Sequence, residues 1–308
     1  MVDLQPNLEL TTAQAEDLLG AWSGERPTCS AVVPLTGGLV NSVFRLEFDR
    51  PPARAVVKIH GIDGNTFAEE ADSLRYLAAE TSCPVPRVHA HDGSGRVVPY
   101  AFLLLEHLEG VCLHGADVDP GQREQLDIEL AGVLSELHRH RGDRWGLLGE
   151  EHHATRWNEV FARRLSEVRA APGLEARLAQ DVLGLVDDAI ELSEPALADG
   201  GVPTLIHGDV WDGNLLVRRN GELWRFSGLV DPKLQFADAE LELAYLEVFD
   251  HPRDALFAAY TRHHPLRPGY ERRRLFYWLE TALEHVALFD DEFFRAFTAR
   301  TAAAIVRG

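Results

Sequence analysis

Leu205-Ile206-His207-Gly208-Asp209-Val210-Trp211-Asp212-Gly213-Asn214-Leu215-Leu216-Val217, with Leu229-Val230-Asp231-Pro232 downstream, decides how this chain is read. An apolar entry, a polar turn and an apolar exit predict two short buried strands that hold a rigid loop at a cleft. Asp209 and Asn214 stand five positions apart, and Asp231 lies 22 beyond Asp209. Those are parts that phosphoryl transfer needs. The first carboxylate takes the proton of an attacking hydroxyl, while the amide oxygen and the later carboxylate hold magnesium against the phosphates. Alone, Asp-x-x-x-x-Asn also arises by chance, and His-Gly-Asp can be a capped turn. The chemistry therefore requires a phosphate loop and a lysine upstream.

Working outward, Ala31 to Phe48 reads strand, turn, strand, with Gly37 and Gly38 in the turn. Without a Cβ, backbone N–H groups there can approach an anion, although a Gly-Gly turn is as often a plain hairpin. The next apolar run, Ala55 to His60, holds one lysine, Lys58. A lysine in such a run needs a partner, and the following helix, 66–79, offers Glu70 in its first turn. That ion pair would aim the ammonium at nucleotide phosphates. A strand from Pro99 to Leu108 then leads to a turn at Gly110, and its backbone from Glu106 to Leu108 suits an adenine edge. After Gly110 the spacing is helical up to residue 205: one helix over 122–140, then one or two over 157–194 broken at Pro172-Gly173. Further helices are predicted over 239–249, 252–263, 270–289 and 291–306, and an N-terminal one follows Thr11 or Thr12 as cap. His138 reads as a packing residue or as a charge at a helix C-terminus.

The 308 residues, 45% hydrophobic and 26% charged, suit two sub-domains of ordinary globular type. A net charge of -19 argues against nucleic acid, which is bound by basic surfaces, and is compatible with an amine-bearing substrate. The first residues lack a secretory pattern, and no uncharged run nears the ~18 residues of a membrane span. Three cysteines without metal-ligand spacing predict a reduced, cytoplasmic protein.

Glycine loop, strand lysine, helix glutamate, hinge, then base, asparagine and aspartate stand in the order of a protein-kinase-like phosphotransferase. More narrowly, the sequence resembles the fructosamine kinase (ketosamine 3-kinase) group of the aminoglycoside phosphotransferase-like superfamily over nearly its whole length. His207-Gly208-Asp209-Val210-Trp211-Asp212-Gly213-Asn214 is similar to that group's His-Gly-Asp-Leu-Trp-x-Gly-Asn. Val230-Asp231-Pro232 is similar to its Ile-Asp-Pro, Glu70 to Leu74 to its Glu-Met-Ala-Ser-Leu, and Ala282 to Phe289 to its Leu-Asn-His-Leu-Asn-Leu-Phe. Two departures lie on the acceptor side: Asp238 to Ala244 lacks the usual arginine and has Glu242 for aspartate, and Glu284 stands where asparagine is usual.

The resemblance implies an α+β, bilobal protein-kinase-like fold. Residues 1–106 would form a small β-rich nucleotide-binding lobe with one key helix, and 107–308 a mainly helical lobe with the catalytic loop. It gives the base to Asp209 and magnesium to Asn214 and Asp231. Gly37, Gly38, Lys58, Glu70, Glu106 and Leu108 fall to ATP, and Trp211, Glu242 and His285 to the acceptor. Trp211 reads either as a flat wall for the acceptor or as packing between helices. The implied partner is a small sugar-amine acceptor, free or protein-bound, with no nucleic acid or membrane and with a monomer favoured. The rivals are an aminoglycoside or other small-alcohol kinase, and a nucleotide-binding pseudokinase scaffold.

Overall fold

Strict alternation builds the first sheet. In the computed structural model, which describes residues 8–35, 40–62, 64, 66–149, 155–249 and 253–308, strand β2 (Ser42–Phe48) buries every second side chain. It pairs antiparallel with β1 (Cys29–Pro34) and β3 (Arg54–His60), and β5 (Ala101–Glu106) and β4 (Val88–Asp92) complete the order β1-β2-β3-β5-β4. Helix α1 (Thr12–Ser23) starts at Thr11, whose side chain forms a capping box with Gln14. It buries Ala15, Leu18 and Leu19 in one core with Leu46, Val57 and Leu104. Helix α2 (Ala68–Glu80) carries Glu69 and Glu70 in its first turn. The turn with Gly37 and Gly38 lies outside the described residues.

The chain forms two compact units. One is the described part up to Asp117 together with Asp212–Pro232; the other is Val118–Trp211 together with Lys233–Gly308. Residues 212–232 join the first unit because β9 (Leu215–Asn220) and β10 (Leu223–Leu229) form a hairpin beside β6 (Val111–Cys112). The Leu229 N–H donates to Pro84 O at 2.8 Å. Gly228 permits this approach, since a Cβ there would meet Leu108 Cδ1 at 2.7 Å and Pro84 O at 2.8 Å.

The second unit is mainly helical: α3 (Pro120–Leu137), α4 (Trp157–Arg169), α5 (Leu174–Arg177), α6 (Gln180–Ala196), α7 (Ala239–Phe249), α8 (Asp254–Tyr260), α9 (Tyr270–Phe289) and α10 (Glu292–Arg307). Its core gathers Trp157, Phe161, Leu165, Val186, Phe276, Tyr277 and Leu283. A short sheet of β7 (Gly146–Leu147), β11 (Gln235–Ala237) and β8 (Thr204–Ile206) pairs the strand that enters the quoted loop with the strand that follows Pro232.

The α+β reading and most helix positions match. The two short strands expected at the ends of 205–217 are present as β8 and the start of β9; the pairing of β9 with β10 and the two-residue strands had no counterpart in the sequence. Residues 157–194 make three helices where one or two were expected, because Gly173 adopts φ 91 at their break and starts α5 as a separate turn. Among the described residues, no helix is long and apolar enough to cross a membrane.

Candidate active site

In the sheet unit, Lys58 lies on β3 with only 5% of its surface exposed, a placement that demands compensating charge. Its Nζ lies 2.7 Å from Glu70 Oε1 on α2 and also contacts Asp231 Oδ1. Burial disfavours the ammonium, but Asp231 and Glu70 outweigh it and hold the pKa above the ordinary lysine value. Burial pushes the Glu70 carboxyl up to about 6; Lys58 pulls it down and Asp231 adds to the rise, since two carboxylates share one ammonium.

Asp231 is aimed by its backbone. Its φ of 60 is left-handed, uncommon for a residue with a Cβ. The Val230 N–H donates to Asn214 O at 3.1 Å, so the β9–β10 hairpin brings the chain at Asn214 beside the chain at Asp231. A carboxylate and an amide oxygen are hard donors of the kind magnesium takes, the rest of its shell coming from phosphate and water. Among the described residues no group of three or more His, Cys, Asp or Glu side chains forms a self-sufficient metal site. Asn214 and Asp231 are the residues here that could hold such a metal. In the expected adenine-facing strand, the Glu106 N–H already donates to Arg87 O at 2.8 Å, and the Glu106 carboxylate accepts from the Arg87 N–H at 3.2 Å.

In the helical unit, the loop after β8 turns at Gly208, with φ 82 and a backbone so close to Lys233 O that a Cβ would stand 2.2 Å from it. Only glycine fits. Asp209 follows, and Tyr245 Oη on α7 donates to its Oδ1 at 2.5 Å. One turn earlier on α7, Glu242 is 1% exposed. It accepts from the Gly208 N–H at 2.7 Å, the His207 N–H at 3.3 Å and His138 Nε2 at 2.8 Å. Because a carboxylate only accepts, His138 Nε2 carries the proton, and Nδ1 lies 2.7 Å from Tyr260 Oη. Burial alone would raise the Glu242 carboxyl, yet the bond from His138 and the Gly208 amide hold it below its usual range. The side chain of Glu242, which the resemblance gives to the acceptor, is closed off from solvent and accepts from the loop backbone.

Helix α7 is itself fixed. Asp238 accepts from the Glu240 N–H at 3.1 Å at the helix start. Buried Glu240 accepts from Arg273 Nε at 2.7 Å and Arg267 Nη2 at 3.0 Å. These pairs set the face that presents Glu242 and Tyr245.

Beside Asp209, Trp211 stands 6.0 Å from Phe249, centre to centre; Phe249 lies 5.0 Å from His285, which stacks on Phe294 at 4.3 Å. His285 Nδ1 donates to Thr281 O at 2.8 Å within its own helix, and burial lowers its pKa. The structure thus joins Trp211 and His285 in one half-buried aromatic group with Phe249 and Phe294. His138, read as a packing residue or a charge at a helix C-terminus, is buried at the C-terminal end of α3. Tyr245 and Tyr260 were missed; no spacing marks them, and their roles arise from packing of α7 and α8 around it.

The family profile described as Fructosamine kinase matches residues 12–305. A "Probable ketoamine kinase" of Enterococcus faecium is 26% identical over 278 residues, covering 85% of this chain and 91% of that protein. One of Synechocystis is 29% identical over 234 residues, covering 72% and 73%. Among solved structures, a fructosamine-3-kinase candidate from Haemophilus somnus superposes with a TM-score of 0.76 at 20% identity, covering 95% of this chain and 96% of that one. The aminoglycoside phosphotransferase APH(4)-Ia follows at 0.67 and 18%, covering 96% and 99%. These likenesses give the protein-kinase-like fold, and with the profile spanning nearly the entire sequence they establish that the chain is a kinase-type phosphotransferase belonging to the fructosamine kinase family.

Proposed function

We propose that the protein transfers the γ-phosphoryl group of ATP to a hydroxyl of a small ketosamine, a sugar joined to an amine. The observation that carries this reading is Lys58, buried and shared between Glu70 and Asp231. A buried ammonium held by two carboxylates is costly to maintain for structure alone, and it is what orienting nucleotide phosphates requires. Residues up to about 106 serve the nucleotide in this reading, with Gly37, Gly38, Glu106 and Leu108 around it, and the later residues serve the acceptor.

In the mechanism Asp209 accepts the proton of the acceptor hydroxyl as its oxygen forms a bond to the γ-phosphorus and the bond to the bridging β,γ-oxygen breaks, releasing ADP. Tyr245 holds the Asp209 carboxylate in place before the hydroxyl arrives. Asn214 and Asp231 would hold magnesium, which supplies neutralisation of phosphate charge when bound. Lys58, kept by Glu70, orients the phosphates. Glu242 fixes the loop backbone, and Trp211 with His285 gives the sugar an apolar wall.

The test is ADP release with magnesium and ATP, scanned over ketosamines, aminoglycosides, amino sugars and choline. Turnover with ketosamines well above the rest is the expected result. Preference for an aminoglycoside or for choline would replace the acceptor, and no stimulation by any of them would favour a scaffold that binds nucleotide without transfer.

A further inference from the structure

Within the helical unit, a cavity of about 400 Å³ is lined by Arg163, Arg164, Lys233, Glu167, Glu280 and Glu284. A smaller hollow shares Arg164, Lys233, Glu280 and Glu284 with it and reaches Gly208 and Tyr245, the neighbours of Asp209 on the chain and by hydrogen bond. The cavity thus shares a wall with the hollow beside the proposed base.

Its lining holds three cations and three anions, which balance. Arg164 Nε lies 2.8 Å from Glu280 Oε1, and Lys233 Nζ 3.3 Å from Glu284 Oε1. Glu280 is 3% exposed, yet its Oε1 accepts no well-directed hydrogen bond, so a buried anion there still has capacity for a donor. Glu280 and Glu284 lie one turn apart on α9 and therefore side by side. The Lys233–Glu284 pair is the looser one, with side chains 51% and 30% exposed.

We propose that this cavity recognises the amino-acid part of a zwitterionic acceptor: Glu284 and Glu280 take the secondary ammonium of the ketosamine, and Lys233 takes the α-carboxylate beside it. The proposal rests on the phosphotransfer reading above and narrows it to ketosamines of free amino acids. A zwitterion can open the Lys233–Glu284 pair and give each member a new partner, so no charge is left buried alone. A ketosamine bearing only the ammonium, as on a protein lysine side chain, leaves Lys233 without its carboxylate. A polycation brings excess charge against Arg163, Arg164 and Lys233, and like charges at such distances cost affinity.

The experiment compares fructosylglycine with the ketosamine of methylamine, which differ in the carboxylate, by calorimetric binding and by ADP release with ATP and magnesium. The parent should favour fructosylglycine by about tenfold or more in both Kd and kcat/KM, the gain of one charged contact. Lys233→Met should bring that ratio to about 1, and Glu284→Gln should weaken both ligands. Equal treatment of the two compounds by the parent, or an unchanged ratio in Lys233→Met, overturns the proposal while phosphotransfer stands. If neither compound is turned over, the phosphotransfer reading falls, and the binding ratio in parent and Lys233→Met still decides what the cavity recognises.

Discussion

The two units use buried charge differently. In the sheet unit a single ammonium, Lys58, is shared by two carboxylates that reach it from α2 and from the turn after β10. Every member is a candidate for direct contact with a nucleotide or its metal. In the helical unit the most buried carboxylate, Glu242, is satisfied by two backbone N–H groups and a histidine and serves the loop that carries Asp209. On the proposed function, charge in the first unit is exchanged with a ligand. In the second, the deepest charge stays with the protein and the exchangeable charges, Lys233, Glu280 and Glu284, line a cavity instead. On the proposed function, the nucleotide side is therefore the compact one, and acceptor choice rests on the charges that line the cavity.

The largest expected effect breaks this comparison most sharply. Asp209→Asn should lower kcat by roughly 10²–10⁴ with ATP affinity near parental, and Asp231→Asn should do the reverse, weakening magnesium-dependent ATP binding in calorimetry. Parallel losses of turnover and nucleotide affinity in both variants would show that the division of labour is wrong. Glu242→Gln comes next. It turns one acceptor oxygen into a donor facing N–H groups, so urea unfolding should show about 1–3 kcal/mol of lost stability together with reduced turnover. Unchanged stability would remove Glu242 as the anchor of the loop.

A smaller effect follows at Tyr245. Tyr245→Phe deletes one donor to Asp209, worth about 1 kcal/mol, so kcat should fall several-fold and the acid limb of the kcat/KM profile should move to higher pH. A profile that keeps its position would leave Tyr245 a packing residue. The smallest effect sharpens the sheet unit. The Glu70 carboxyl, at about 6 in the folded chain, lies above the ordinary glutamate value. A raised carboxyl favours the folded state at low pH, and that contribution is lost as pH rises from the ordinary value through about 6. Melting temperatures of the parent should accordingly decline against those of Glu70→Gln across that window, and a constant difference would contradict the shared-ammonium geometry.

The sequence made the Lys58–Glu70 pair legible because its members sit in local patterns. Lys58 interrupts an apolar strand, Glu70 opens the next helix, and Asp231 stands beside proline in an apolar context. Each leaves a mark within a few residues. Tyr245 and Tyr260 leave none: they come from α7 and α8, and a tyrosine on a helix reads as packing until its neighbours are known. The bonds of Glu242 to the loop backbone were not legible, since a glutamate that accepts from backbone amides looks like any other in sequence. The β9–β10 hairpin was hidden by Arg218, Arg219 and Asn220, whose exposed polar run masked strand pairing that the antiparallel partner supplies.

The account stands or falls on phosphate reaching a sugar hydroxyl. The direct measurement is phosphorus NMR of the protein with magnesium, ATP and a ketosamine. A new phosphate monoester on the sugar should grow in step with ADP and be suppressed in Asp209→Asn. Inorganic phosphate growing in step with ADP, or no monoester while ATP is bound, would contradict it.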